Sequence, residues 1–289
     1  MREIAVIGAG QMGAGIAQVS AGAGYHVMLS DLELPLAQKA KAGIAKSLDR
    51  MVEKEKLSRD EASALLGRIE PVAGYAAMAG ADLIIEAATE REPVKRKIFE
   101  EAAKIIGPHT ILASNTSSIP ITRLAQTSPD PTRFIGVHFF NPVPIMGLIE
   151  VIRGLATSDE TVAIVSRYGA ALGKQMVFAN DAPGFIVNRI LLPMLNEACF
   201  ALGEGVASIK DIDTAIQLGL NHPMGPLTLA DFIGLDTCLE ITNVLHTSTG
   251  DPKFRPAPLL QKYVEAGWLG RKTKRGFYDY TGDVPVPTR

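Results

Sequence analysis

The sequence predicts an α/β protein: a mostly parallel sheet wrapped by helices, followed by a smaller all-helical domain. Three observations predict it. Short β-rich runs alternate with helical stretches up to residue 180. A glycine-rich turn follows the first of those runs. Strand alternation then ceases after Asn180-Asp181-Ala182-Pro183-Gly184.

The β-rich runs are residues 4–7, 26–30, 82–87, 110–113, 134–140, 148–152 and 175–179. Helical patterns fill residues 11–23, 92–106 and 159–172 between them. This alternation is the signature of a parallel sheet with helical crossovers. Residues 34–66 are rich in Ala, Lys and Glu and read as a helical hairpin inserted into the pattern and projecting from the sheet. Pro183 and Gly184 break regular structure and put the boundary at residues 181–185, with domains of residues 1–183 and 184–289. The tail, residues 284–289 with two prolines, reads as frayed.

The chain has 289 residues, 47% hydrophobic and 21% charged, a balance that can bury a sizeable core. Lys and Arg number 29 against 31 Asp and Glu, for a net charge of −2. No basic excess points to nucleic acid or an anionic membrane, so any anionic ligand must be held by local positive groups. No apolar stretch approaches the roughly 20 residues of a membrane span, and the N-terminus lacks the pattern of a signal peptide. Cys199 and Cys238 are the only cysteines, which suits a reducing compartment, and no Cys/His spacing resembles a metal site. The reading is of a cytoplasmic protein without a metal.

Gly8-Ala9-Gly10-Gln11-Met12-Gly13 follows the first β run and opens a helical pattern. In that context the spacing is a dinucleotide fingerprint, which makes the first domain Rossmann-type. Gly8 permits the tight turn, Gly10 lets backbone approach a pyrophosphate, and Gly13 lets helix and strand pack closely. The helix N-terminus presents N–H groups to the phosphates. Asp31 ends the second β run, 18 residues beyond Gly13, where a carboxylate receives a ribose 2′-hydroxyl. It repels a 2′-phosphate, and no Lys or Arg follows until Lys39, so NAD is favoured over NADP.

Residues 134–140 carry one titratable residue, His138, and residues 148–152 carry one, Glu150. Pro142 and Pro144 make the segment between them a connection. If the two strands pair antiparallel about Pro144, His138 and Glu150 are each six residues from the centre and share a face. A carboxylate facing an imidazole fixes its tautomer and stabilises its cation, leaving the other ring nitrogen to exchange a proton with a substrate hydroxyl. A buried ion pair with only a structural role fits the same local pattern.

Taken together, several segments make the chain resemble the 3-hydroxyacyl-CoA dehydrogenase family, in particular its bacterial 3-hydroxybutyryl-CoA branch. They are Val6-Ile7-Gly8-Ala9-Gly10-Gln11-Met12-Gly13, Ile84-Ile85-Glu86-Ala87, Ala113-Ser114-Asn115-Thr116-Ser117-Ser118, His138-Phe139-Phe140-Asn141-Pro142, Asp181-Ala182-Pro183-Gly184-Phe185-Ile186-Val187-Asn188-Arg189, His222-Pro223-Met224-Gly225-Pro226, Asp231-Phe232-Ile233-Gly234-Leu235-Asp236 and Gly276-Phe277-Tyr278. The resemblance implies NAD-dependent oxidation of a 3-hydroxyacyl-CoA thioester, with His138 as acid/base and Glu150 as its partner. It further implies that Ser117 and Asn188 hold the substrate and donate to the developing ketone oxygen. Glu90, Lys95, Asn115 and Lys274 match cofactor-contacting positions, beside Gly8, Gly10, Gln11, Met12, Gly13, Asp31, Ser117 and His138. Ser47 and Lys54, seven apart on one helical face, match positions that contact CoA. The resemblance also implies a homodimer formed through the helical domain.

Several of these residues have plainer readings. Ser117 is a plausible N-cap for a helix over 119–125, Asn188 an ordinary polar helix residue, and Lys95 and Lys274 solvated lysines. His222 sits in an interhelical turn, and His26, His109 and His246 have no partner pattern. One departure from the family pattern is Gly147, where lysine is common; it removes a positive group close to Glu150. Two rival readings share the fold: a hydroxyisobutyrate-type dehydrogenase, which would use a lysine in the second domain, and a crystallin-like or NAD-sensing protein without activity.

Overall fold

A computed structural model describes all residues from Met1 to Arg289. The chain forms two compact units, Met1–Phe185 and Ile186–Arg289.

The first unit runs β1 (Glu3–Ile7), α1 (Gln11–Gly22), β2 (His26–Asp31), α2 (Leu34–Glu53), α3 (Arg59–Gly67), β3 (Ile69–Ala73), β4 (Leu83–Glu86) and α4 (Glu92–Ala103). It continues with β5 (Ile111–Ser114), α5 (Ile121–Leu124), β6 (Phe134–Phe139), β7 (Leu148–Arg153), α6 (Asp159–Ala171) and β8 (Gln175–Asn180). The eight strands form one sheet in the order β3-β2-β1-β4-β5-β6-β7-β8. All neighbours are parallel except β6 and β7. This is a doubly wound Rossmann-type sheet whose order reverses beside β1, so the crevice lies at the C-terminal ends of β1 and β4.

Alternation along each strand divides the core. Ile4 and Val6 join Ile16, Ala17, Leu29 and Ile85 on one face of the sheet. Ala5 and Ile7 join Ile84, Phe99, Leu112 and Phe134 on the other. The helices start and stop for local reasons. Ser158 caps α6 through Thr161 N–H, and Ser58 and Glu61 form a reciprocal capping box on α3.

Three expectations change in this unit. β3 escapes the sequence reading because Glu70 and Pro71 interrupt its apolar run; Pro71 is tolerated there because β3 is an edge strand. The 34–66 hairpin does not stand off the sheet. Ala37, Ile44 and Leu48 of α2 and Ala62 and Leu65 of α3 are buried in the same core as Ile4 and Val6, so the hairpin is the crossover from β2 to β3. His26 does have partners: its Nδ1 lies 2.6 Å from Glu3 Oε2 and its Nε2 lies 3.3 Å from Glu70 Oε2.

The second unit comprises α7 (Val187–Gly203), α8 (Ile209–Gly219), α9 (Pro226–Ile233), α10 (Leu235–Thr249) and α11 (Pro258–Glu265) around a core that includes Leu195, Cys199, Leu227, Leu235, Leu245 and Phe277. Burial pushes the Cys199 and Cys238 thiols well above their usual range. The tail is not frayed. β9 (Tyr278–Asp279) pairs antiparallel with β10 (Val286–Pro287), and Thr288 N–H donates to Phe277 O at 2.9 Å. Two prolines do not prevent this because the pairing is one edge of a two-stranded ribbon. No helix is long and apolar enough to cross a membrane.

Candidate functional site

The glycine-rich turn leaves β1 and enters α1. Gly8 sits at φ +102°, and a Cβ on it would lie 2.5 Å from Ala88 Cα. A Cβ on Gly13 would lie 1.7 Å from Gly8 O, so helix and turn touch backbone to backbone. Gly10 is different: its Cβ position has nothing within 4 Å. It is also the N-cap of α1 and offers no side-chain cap. The turn therefore presents uncapped helix N–H groups below open space, which fits a pyrophosphate. Gln11 is exposed in this turn, while Met12 packs on the core.

Asp31 stands beside the turn at the end of β2. Its Oδ2 accepts from Ala9 N–H at 2.6 Å and its Oδ1 from Leu32 N–H at 2.7 Å. Gly10, Asp31, Lys39, Ser47 and Asn141–Pro144 all line one groove of about 620 Å³. Lys39 thus shares the groove with Asp31, which the sequence spacing did not reveal. Lys54 is the exposed C-cap residue of α2.

The antiparallel pairing of β6 with β7 sets His138 opposite Glu150. His138 Nδ1 lies 2.7 Å from Glu150 Oε2, with both residues buried. The imidazole also lies against Phe140 and Phe185, with ring centroids 4.6 and 5.9 Å away. Withdrawal from water strengthens the ion pair that forms when the ring is protonated.

Glu90 organises the loop after β5. Its Oε1 receives Thr116 Oγ1 at 2.7 Å, Ser117 N–H at 2.8 Å and Ser118 N–H at 3.0 Å. The Ser117 and Ser118 hydroxyls lie 2.9 and 3.0 Å from the same oxygen. One carboxylate oxygen cannot satisfy so many donors at full strength, and hydroxyls are the ones free to rotate. Ser117 can therefore turn its proton to a ligand while the backbone donors keep Glu90 satisfied. Burial works to raise the Glu90 pKa, but Lys95 and the Thr116 and Ser117 hydrogen bonds outweigh it and hold the carboxyl below the usual range.

Lys95 is neither a solvated lysine nor a free cation. It is 1% exposed, and its Nζ donates to Glu86 Oε2 at 2.6 Å and lies 3.7 Å from Glu90 Oε2. Glu86 also accepts from Ser114 Oγ and Ala88 N–H. The buried ammonium thus neutralises the carboxylate that ends β4 and that Ser114 at the end of β5 also reaches. Asn115 ties β5 to β6 by accepting Phe139 N–H at 2.9 Å. Ser117 is no N-cap: α5 starts at Ile121 with Pro120 in the N-cap position, and Asp181 accepts from Ile121 and Thr122 N–H at 2.8 and 2.7 Å. Asn188, in the first turn of α7, and Lys274 belong to the second unit. Lys274 has left-handed backbone at φ 58° and is exposed.

Glu86, Thr116 and Ser118 were not singled out by sequence reasoning. A carboxylate closing the apolar run Leu83-Ile84-Ile85-Glu86 was the available signal for the first. Thr116 and Ser118 lie in the segment Ala113-Ser114-Asn115-Thr116-Ser117-Ser118 that carries the family resemblance, but no role was attached to them.

Residues 3–182 match the family model described as 3-hydroxyacyl-CoA dehydrogenase, NAD binding domain, and residues 184–280 match the model of that enzyme's C-terminal domain. The chain belongs to the 3-hydroxyacyl-CoA dehydrogenase family. It is 54% identical to a 3-hydroxybutyryl-CoA dehydrogenase of Bradyrhizobium diazoefficiens, over 100% of this chain and 99% of that one. It is 52% identical to a probable 3-hydroxybutyryl-CoA dehydrogenase of Bacillus subtilis, over 97% and 98%. The solved structure of (S)-3-hydroxybutyryl-CoA dehydrogenase from Ralstonia eutropha superposes with a TM-score of 0.96 at 50% identity, covering 98% of this chain and 100% of that one. This member of the family is an NAD-dependent oxidoreductase. The hydroxyisobutyrate-type and non-enzymatic readings give way to that membership.

Proposed function

We propose that the chain oxidises the 3-hydroxyl of a short-chain (S)-3-hydroxyacyl-CoA, such as 3-hydroxybutyryl-CoA, to the 3-oxo thioester, and catalyses the reverse reduction. The observation that carries this is the buried His138–Glu150 contact at 2.7 Å on facing strands. The names of relatives at 54% and 50% identity support the acyl-CoA substrate, its short chain and its S configuration.

The glycine-rich turn and Asp31 would hold NAD, which would supply a hydride acceptor for C3 of the substrate. His138 Nδ1 faces Glu150, so Nε2 is the nitrogen left to take the hydroxyl proton as hydride leaves the same carbon. Glu150 stabilises the imidazolium so formed, and in reduction that imidazolium returns the proton to the ketone oxygen. Ser117 is assigned a hydrogen bond to that oxygen, through the rotation that Glu90 leaves open. The family resemblance assigns substrate contacts also to Asn188, Ser47 and Lys54, and cofactor contacts to Glu90, Lys95, Asn115 and Lys274. For Lys95 the geometry supports an indirect role, since its charge is spent on Glu86.

We further assign residues 1–183 to cofactor binding and residues 184–289 to substrate binding and homodimer formation. A cytoplasmic location is in keeping with the bacterial relatives and the two free, buried thiols.

The test is the rate of NADH oxidation with acetoacetyl-CoA. His138→Gln is expected to cut turnover by at least ~10²-fold, the ordinary contribution of a general acid/base, while NADH binding stays nearly intact. Near-normal turnover in that variant removes His138 from the mechanism.

A further inference from the structure

The loop between β6 and β7 has two duties. It joins the strand of His138 to the strand of Glu150, and its residues Asn141–Pro144 wall the groove that also contains the glycine-rich turn and Asp31. Val143 is 2% exposed and pressed against α1, where a Cβ on Gly15 would lie 2.8 Å from the Val143 Cβ. Any shift of the loop therefore moves the groove wall against the helix that follows the glycine-rich turn.

One side chain holds the loop from behind. Lys174, the residue before β8, donates from Nζ to Val143 O at 2.7 Å and to Met146 O at 2.6 Å. The next residue, Gln175, donates its N–H to Gly147 O at 2.7 Å, and β8 then runs parallel to β7 with Val177 opposite Glu150. The ammonium thus links three things: the groove wall, the loop end, and the strand beside the carboxylate of the pair. Charge-assisted bonds to carbonyls are shorter and stronger than neutral ones, and two from one nitrogen fix both carbonyls relative to β8.

We infer that Lys174 is a positioning residue that sets the groove wall for the dinucleotide by clamping the Val143 and Met146 carbonyls. The inference rests on reading the end of that groove formed by the glycine-rich turn and Asp31 as the dinucleotide site, but not on the identity of the acid/base.

A graded series of substitutions tests it. NADH affinity is measured by fluorescence titration without turnover, alongside kcat and KM for acetoacetyl-CoA and the thermal midpoint. Lys174→Met keeps the chain length and removes the donors. It should weaken NADH binding about tenfold, a change of about 1.4 kcal/mol, with kcat changed much less. Lys174→Arg, which can reach two carbonyls, should recover most of the affinity, and Lys174→Gln, with a single amide group, should fall between. The same order of NADH affinities should appear in a His138→Gln background, so failure of the acid/base reading is distinguishable from failure of this one. Unchanged NADH affinity in the Met variant overturns the inference. So does a loss that Arg does not recover and that follows the fall in thermal midpoint, because that is the pattern of a merely structural lysine. If the Met variant does not fold, the order of the Arg and Gln variants decides alone.

Discussion

Asp31 holds the glycine-rich turn directly: its Oδ2 accepts the Ala9 N–H at 2.6 Å, while its Oδ1 accepts the Leu32 N–H at 2.7 Å. The carboxylate that would meet the ribose therefore also shapes the loop that would meet the phosphates. Lys39 lines the same groove, so removing the acid leaves a cation facing the same space. Asp31→Ala should weaken NADH binding by about tenfold or more, in line with lost hydrogen bonds to a charged group. NADPH binding, which shares the loss of the Ala9 anchor but gains from removal of the carboxylate beside Lys39, should weaken far less. Parallel fluorescence titrations with both cofactors check this, and equal losses for the two would detach Asp31 from ribose recognition.

Glu90 gives a pH dependence with a definite sign. Its carboxyl is held below the ordinary value of 4.5, by Lys95 and by Thr116 and Ser117 acting against burial. The stabilisation is therefore fully present above the unfolded value and is lost as pH falls through the lower folded value. Wild-type protein should lose stability on acidification below about 4.5 more steeply than Glu90→Gln, which has no charge to lose. At neutral pH the Gln variant should turn over more slowly, because an amide oxygen is a weaker anchor for the Ser117 and Ser118 N–H groups. Urea unfolding at a series of pH values reads the first effect and steady-state kinetics the second. Parallel acid limbs for the two proteins would contradict this account of Glu90.

The pairing of His138 with Glu150 could be read from sequence because strand periodicity is strict and a proline-rich connection fixes the centre of the hairpin. His138 and Glu150 needed only a count of residues on each side. The same arithmetic was unavailable for Lys95. Its burial depends on how α4 stacks over the ends of β4 and β5, and Glu86, its partner, lies on a different element. The cap on α5 was hidden for a related reason. A serine close in sequence suggested itself, whereas the structure uses Asp181, about 60 residues away, from the end of the first unit. β3 failed for the opposite reason, since Pro71 argued locally against a strand that edge position permits. What was legible was periodic or contiguous. What was not depended on side chains meeting across elements.

Gly147, where the family pattern leads one to expect lysine, offers a simple test of local tolerance. A Cβ there meets nothing within 4 Å, and its φ is not in the left-handed region. Gly147→Ala should therefore stabilise the protein by about 0.4–1 kcal/mol, chiefly by restricting the unfolded chain. Gly147→Lys should also fold and remain active, since the hairpin register does not depend on this position. Thermal unfolding and turnover of both variants measure the effect. A marked loss of stability in the alanine variant would mean that the connection between the two strands needs conformational freedom at this point.

The second unit is stitched by a buried carboxylate. Asp231 is 1% exposed and accepts Phe277 N–H, Tyr278 N–H and the Tyr280 hydroxyl, each at 2.9 Å. A Cβ on Gly276 would lie 1.9 Å from Asp231 Oδ1, so only glycine lets the backbone come so near. Asp231→Ala would strand two backbone donors and a phenol in the interior, and each unsatisfied buried group costs about 1–3 kcal/mol. The expected result is a loss of several kcal/mol in the stability of the second unit, with fast amide exchange at Phe277 and Tyr278. Asp231→Asn, which keeps one acceptor oxygen, should lie between. Hydrogen exchange followed by mass spectrometry on peptides covering residues 270–289 discriminates the outcomes. Protection of those amides unchanged by the alanine substitution would show that the β9–β10 ribbon is held by Phe277 packing and not by the carboxylate.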